Sequence, residues 1–270
     1  MIESVLWIAV ALMVASAILP PTKRIKFLIG GSGWVFFSLH WAYQPLHYIA
    51  INDYFNVILT IAIALFCLFM AQNMVRGYSS SSVPEEKGHL NIVLMATSAT
   101  ALGSLFYFSF ANIPSLNQWI ISTVTGNTVW MLQTLGHDVV TSGNGVVYNG
   151  YAVNIILACT AIESIALFTG LIVSINAPKR KLFQAFMVSV PVIYTLNLIR
   201  NTFVIVAYGE QWFGPESFEV AHHIIAKFGS GVALFIIAYV VMRILPELLD
   251  LIDGLWEMTT EQLRSFVRKI

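Results

Sequence analysis

Charge is what this sequence has least of. Asp, Glu, Lys and Arg make up only 10% of its 270 residues and their signs cancel, 14 against 14, where a water-soluble domain carries about 25%. A surface so poor in charge cannot face water, and a chain with no net charge recruits no nucleic acid through its overall field. Cysteine is nearly absent as well. Cys67 and Cys159 are the two, in separate apolar runs, which excludes a disulfide framework and a paired-cysteine zinc site. The HExxH and CxxC ligand pairs of metal enzymes are also missing, so Cys159, Glu163, His222 and His223 do not make a convincing metal set and no cofactor is expected. Gly30, Gly31 and Gly33 stand in an apolar run, where small residues suit close helix contact rather than a phosphate loop. There is no internal repeat and no stretch with the composition of a soluble second domain.

What the chain has in abundance is apolar sequence, 57% of its residues. About 20 helical residues cross a bilayer core, and segments of that length read near residues 2–20, 25–43, 54–75, 89–111, 157–177, 183–208 and 222–245. The expected fold is all-α, a polytopic integral membrane protein of about seven transmembrane helices. The first apolar run precedes its basic cluster, the reverse of a cleaved secretory signal, and is expected to be retained. Residues 115–135 mix Asn, Gln, Ser and Thr with Trp119 and Trp130, as an outer interfacial or re-entrant helix would. The stretch "HDVVTSGNGVVYNGYAVNI" reads as a hairpin built on an Asn-Gly turn, and "GYSSSSVPEEKGH" as a flexible inner loop. Residues 246–270 alternate acids and bases around an apolar stripe, the pattern of an amphipathic tail on the cytoplasmic membrane surface. Residues 1–245 then form one membrane-embedded domain.

Lys and Arg favour cytoplasmic connections. With the N-terminus outside, Lys23, Arg24, Lys26, Arg76, Lys87, the "PKRK" cluster, Arg243 and the basic residues of the tail all fall inside, and the outer connections hold none. Of the 14 basic residues only Arg200 and Lys227 remain, both within apolar segments. This topology puts Cys159 near the outer end of the fifth span. Arg200 lies on the order of 12 Å below the outer end of the sixth, at 1.5 Å per residue, and His222 and His223 open the seventh.

An arginine inside a span normally faces partners or a water cavity. Glu163, at i+4 from Cys159 on a continuous helix, is the nearest counter-charge, and Asn197 and Asn201 flank Arg200 where they could orient its guanidinium or bond a substrate backbone. One reading is a structural Arg200–Glu163 ion pair with an incidental cysteine. In another these polar groups and the histidines line a transporter path. In the third a cation lowers the thiol's pKa, a histidine moves the proton, and Arg200 stabilises an oxyanion. Cys67 reads as a small buried hydrophobe.

The motifs "ACTAIES" with Cys159 and Glu163, "NLIRN" with Arg200 and "AHHIIAKFGSG" with the histidines and Lys227, in that order on successive spans, resemble the exosortase and archaeosortase family over about residues 90–245. The resemblance implies a membrane cysteine transpeptidase, with those residues as its catalytic part. Its substrates would be surface (S-layer) proteins ending in a Pro-Gly-Phe-like motif, a transmembrane helix and a basic tail. Cys159 matches the family's nucleophile, which forms an acyl-thioester, and Arg200 its essential arginine. The third position aligns with His223, or alternatively His222. A membrane ether phospholipid would accept the acyl group at the outer leaflet; with water as acceptor the same residues would make a plain intramembrane cysteine protease.

Overall fold

The computed structural model describes residues 2–20, 23–79 and 84–267. It is predominantly helical. Helices α1 (Ile2–Ile18), α2 (Ile25–Ala50), α3 (Tyr54–Ser79), α4 (Pro84–Asn112) and α5 (Pro114–Thr134) precede three short strands, β1 (Val140–Ser142), β2 (Gly145–Tyr148) and β3 (Tyr151–Asn154). Then come a 3-10 turn (Leu157–Cys159), α6 (Ile162–Ser174), α7 (Lys179–Gly209), a π-helical segment (Glu219–Ala226) running into α8 (Lys227–Ile244), and α9 (Glu247–Val267).

Among the described residues four helical runs are long and apolar enough to cross a membrane: Tyr54–Tyr78, Gly88–Asn112, Lys179–Gly209 and Glu219–Ile244. Two more are apolar but shorter, Glu3–Ile18 and Ile162–Ser174. The expected span 157–177 is thus cut down. Its helix has 13 residues, about 20 Å at 1.5 Å per residue against a core of about 30 Å. The second expected span runs on past residue 43 to Ala50, straight through Pro45, whose ring removes one backbone donor without ending the helix. Of the expected inner loop, residues 80–83 lie outside the described residues and α4 begins at Pro84. Residues 268–270 of the tail also lie outside them.

The chain folds as two compact units. The first holds residues 1–105, 173–176 and 247–270. Its packing explains the glycines of α2. A Cβ on Gly30 would stand 2.0 Å from Met74 Cε, and one on Gly33 2.7 Å from Met13 Cγ, so only glycine lets α1 and α3 come this close. Hydrogen bonds cross between helices as well, from Trp34 Nε1 to Thr97 Oγ1 (2.9 Å) and from Ser38 Oγ to the Ala64 carbonyl (2.9 Å). The tail is helical, as its periodicity predicts. Leu248, Leu251 and Met258 of α9 are buried while Ile252 and Trp256 are exposed.

The second unit holds residues 106–172 and 177–246. Helix α5 occupies the segment expected to be interfacial; it buries Ile120, Ile121, Val124 and Leu132 and exposes Trp119 and Trp130. The expected hairpin is a three-stranded antiparallel meander in the order β1-β2-β3. Its second turn, Asn149-Gly150, has both φ angles positive, 50° and 83°, the two-residue type I′ geometry that Asn-Gly favours. Val139 and Val146 hold the sheet against Leu132 of α5 and Ile205 and Val206 of α7. A polar clasp fastens it. Tyr148 donates to Glu210 Oε1 (3.1 Å) and meets His137 Nδ1 (2.9 Å), and Trp212 Nε1 donates to Glu210 Oε2 (2.7 Å).

Candidate active site

The sheet delivers the chain to Cys159. After β3, the Ile155 N–H donates to the Asn144 carbonyl at 3.0 Å and Ile156 stays extended, φ −114° and ψ 174°. The next residues turn sharply. Cys159 N–H donates to the Ile156 carbonyl (2.8 Å) and Thr160 N–H to that of Leu157 (3.0 Å). Ala161 then adopts φ 59°, a left-handed conformation costing about 1–2 kcal/mol for a residue with a Cβ, and α6 starts immediately after it. Cys159 therefore sits in a turn ahead of the helix. The expected i, i+4 helical relation between Cys159 and Glu163 does not exist, because Ala161 breaks the helical phase between them.

Two asparagines hold this turn in place. The Cys159 carbonyl accepts hydrogen bonds from Asn197 Nδ2 (2.8 Å) and Asn201 Nδ2 (3.0 Å), and both asparagines are buried. At about 1 kcal/mol each, the two bonds offset a strain of the size carried by Ala161. Asn197 and Asn201 were expected to orient Arg200 or bond a substrate; in the structure they clamp the cysteine's own backbone. They are one turn apart on α7 with Arg200 between them, at i, i+3 and i+4, so all three share a face. The cysteine's backbone is thereby tied to α7 at the level of the arginine. Cys159 is half-buried and packs against the apolar cluster that Ile120, Ile121, Val124, Ile155 and Leu198 form.

Arg200 points Nη2 at His222 Nε2, 3.5 Å away. A guanidinium can only donate, so the imidazole accepts there and a neutral His222 carries its proton on Nδ1. The His222 ring is stacked on Phe218, centroids 5.1 Å apart and planes 7° from parallel. Among the described residues, neither Arg200 Nε nor His222 Nδ1 has a hydrogen-bond partner, although both atoms are buried. His223, the residue expected at this position, instead lies 3.8 Å from Glu219 with half its side chain exposed. The cause is the π-helical segment that carries both histidines. Its wider turn departs from α-helical phase and brings His222, rather than its neighbour, to the arginine.

Glu163 is not the counter-charge of Arg200 either. It is exposed and accepts a hydrogen bond from Tyr107 at 3.3 Å, and among the described residues no ion pair joins Arg200 to a carboxylate. Glu163, Arg200 and Lys227 are the charged residues around a cavity of about 400 Å3 whose walls are otherwise mostly apolar. Ala158 and Ala161, on either side of the cysteine, line it too. Lys227 is exposed at the start of α8. Among the described residues no three His, Cys, Asp or Glu side chains gather as metal ligands.

This arrangement has the parts of acyl-transfer chemistry. A cysteine sits on a strained turn, its carbonyl is tied to α7 by the two asparagines that flank Arg200, that arginine is a permanently charged donor, and an imidazole meets it. A cavity opens next to the turn. Residues 4–242 match the family described as Transmembrane exosortase (Exosortase_EpsH). The chain belongs to that family. The match runs from α1 into α8, well beyond the 90–245 stretch in which the motifs lie. The exosortase chain is also similar to archaeosortase A of Haloferax volcanii, 25% identical over 292 aligned positions covering 94% of this chain and 92% of the relative. Archaeosortase A of Natronomonas pharaonis is 24% identical, with coverage of 92% and 86%. No solved structure matches the chain. It is accordingly a multi-pass membrane protein and a processing enzyme of the exosortase family.

Three features of the site escaped the sequence. Ala161 gave no sign of its left-handed backbone, because alanine is the best helix former. Tyr107, the partner of Glu163, is 56 residues away along the chain. The clamp could have been found from the i, i+4 spacing of two asparagines in an apolar helix, since buried amides need partners.

Proposed function

We propose that this exosortase is a membrane cysteine transpeptidase acting on surface proteins that carry a C-terminal sorting signal, a short Pro-Gly-Phe-like motif followed by a transmembrane helix and a basic tail. Cys159 Sγ attacks the scissile carbonyl, forming a C–S bond. Arg200 stabilises the charge that develops on the carbonyl oxygen. The C–N bond then breaks as the leaving amine takes up the proton that came from the thiol, carried by His222 on Nε2, its one unprotonated nitrogen, which first parts from Arg200. The acyl-thioester is resolved by a nucleophilic group on a membrane ether phospholipid, which restores the thiol. Glu163 and Lys227 line the cavity through which these partners reach the turn, and His223 stands outside the proton path.

One observation carries this reading: Asn197 and Asn201 fasten the Cys159 carbonyl on either side of Arg200, whose guanidinium in turn meets His222. The distribution of Lys and Arg supports seven crossings with the N-terminus outside, the active site at the outer leaflet, and residues 246–270 as a cytoplasmic amphipathic tail beside a membrane-embedded domain of residues 1–245. Mass spectrometry of a processed sorting-signal substrate tests the acceptor. A lipid adduct on the new C-terminus is expected; a free carboxylate would make the enzyme a protease using water.

A further inference from the structure

Strand β3 is an edge. The order β1-β2-β3 leaves one of its sides without a neighbour, and β3 is the strand whose chain runs on to Cys159. Its register shows which groups are left over. The two-residue Asn149-Gly150 turn closes on the Tyr148–Tyr151 pair, which in a hairpin of this length exchanges both backbone hydrogen bonds. Alternation then makes Val146–Val153 the next bonded pair, and leaves Val147–Ala152 and Gly145–Asn154 as non-bonded pairs. The Ile155 N–H reaches the Asn144 carbonyl at 3.0 Å, where this alternation requires the following bond. The N–H and C=O groups of Ala152 and Asn154 therefore point away from β2. Among the described residues no loop, helix or side chain bonds to them, and both residues are exposed.

We propose that this edge receives the extended segment of the peptide substrate that lies outside the substrate's own membrane helix, by β-augmentation. The inference rests on the reading of Cys159 as the nucleophile, and continuity of the chain is what selects the occupant. From Asn154 two more residues lead to the 3-10 turn, about 7 Å at 3.3 Å per residue, so a peptide paired with Ala152 and Asn154 is led directly to the thiol. A scissile carbonyl bound up in a helix is shielded from a nucleophile, whereas a peptide held along a strand edge spends alternate backbone groups on pairing and leaves the others open to attack. Strand β1, the other edge, is three residues long and separated from Cys159 by the whole of β2 and β3.

Ala152→Pro tests this directly, because proline removes only the outward N–H and leaves the β2 ladder its bonds; Ala152→Val keeps the N–H and serves as control. Binding of a synthetic sorting-signal peptide is measured on the full-length Cys159→Ala protein, so that it depends on no thiol chemistry. The proline change should weaken binding about tenfold or more, the loss of a backbone hydrogen bond plus a steric block, while the valine change leaves it intact. N-methylation along the peptide should weaken binding at every second position. Equal binding by the proline and valine variants would overturn the proposal, as would N-methyl sensitivity without a period of two. If the proline variant melts below the valine variant, the N-methyl scan on the Ala152 protein decides. Should the peptide bind this edge with the expected period while Cys159→Ala still processes it, the edge stands and the nucleophile assignment fails.

Discussion

The two cysteines differ in everything except their side chain. Cys67 stands in the middle of α3 in the first unit, 1% exposed and surrounded by helix packing. Cys159 lies in a tight turn of the second unit, half-buried, its carbonyl held by two asparagines and its helix started by a strained alanine. Residue type and hydrophobic surroundings do not distinguish them. Backbone and partners do. An ordinary helix gives a thiol nothing but burial, whereas Cys159 stands half-buried on a turn between a strand and a helix, and the clamp ties that turn's backbone to the helix that carries Arg200.

Removing each thiol breaks the comparison most sharply. Cys159→Ala should reduce processing by about a thousandfold or more without loss of folding. Cys67→Ala should leave processing intact and lower stability by about 1 kcal/mol, as trimming a buried side chain does. Turnover of a sorting-signal substrate alongside thermal melting checks both. Equal activity of the two variants would remove the distinction.

The histidines form a second pair, and replacing them sharpens the account of the site. His222→Ala should slow processing about a hundredfold, the scale of a lost general acid–base, and His223→Ala should change it little. The reverse order would mean that the π-helical segment presents its other face to Arg200 during catalysis.

A smaller effect is expected at the clamp. Asn197→Ala or Asn201→Ala removes one of two donors from a single carbonyl, so each alone should slow processing about tenfold. The double variant should lose more than the two combined, because only then is the turn free. Strict additivity in a double-mutant cycle would argue against a shared role.

How much of this was legible beforehand follows from the range of the forces involved. Membrane class, the order of thiol, guanidinium and imidazole, and the helix-contact role of Gly30 and Gly33 depend on composition and local spacing, and could be read directly. The 3-10 turn at Cys159 could not, since it is imposed by Asn197 and Asn201, some 40 residues further along. Which of His222 and His223 meets Arg200 depends on a π-helical phase that neighbouring residues do not encode. The apolar run at 157–177 reads as one continuous span because hydropathy sums over a window, and such a sum does not register that the left-handed Ala161 delays the start of α6 to Ile162.

The smallest effect concerns pH and the clasp on the sheet. Trp212 and Tyr148 hydrogen-bond the ionised Glu210 and hold its carboxyl below the usual carboxylate range. A group depressed in the folded state contributes fully above its ordinary pKa, about 4.3 for glutamate, and the contribution is lost as pH falls through the lowered value. Tyr148 is shifted the other way, by desolvation first and then by Glu210, so its share persists below about pH 10 and fades above it. Protease resistance of the 140–154 segment should decline with acid in the wild type, and Glu210→Gln should flatten that decline. An equally steep decline in the variant would show that other carboxylates are responsible.

The central claim is that Cys159 carries the acyl group. Intact and peptide mass spectrometry of the enzyme quenched during turnover of a sorting-signal substrate measures this directly. A hydroxylamine-sensitive substrate adduct on the peptide containing Cys159, with none on that containing Cys67, is the expected result; brisk processing with no adduct at Cys159 on any timescale sampled, and undiminished in Cys159→Ala, would contradict it.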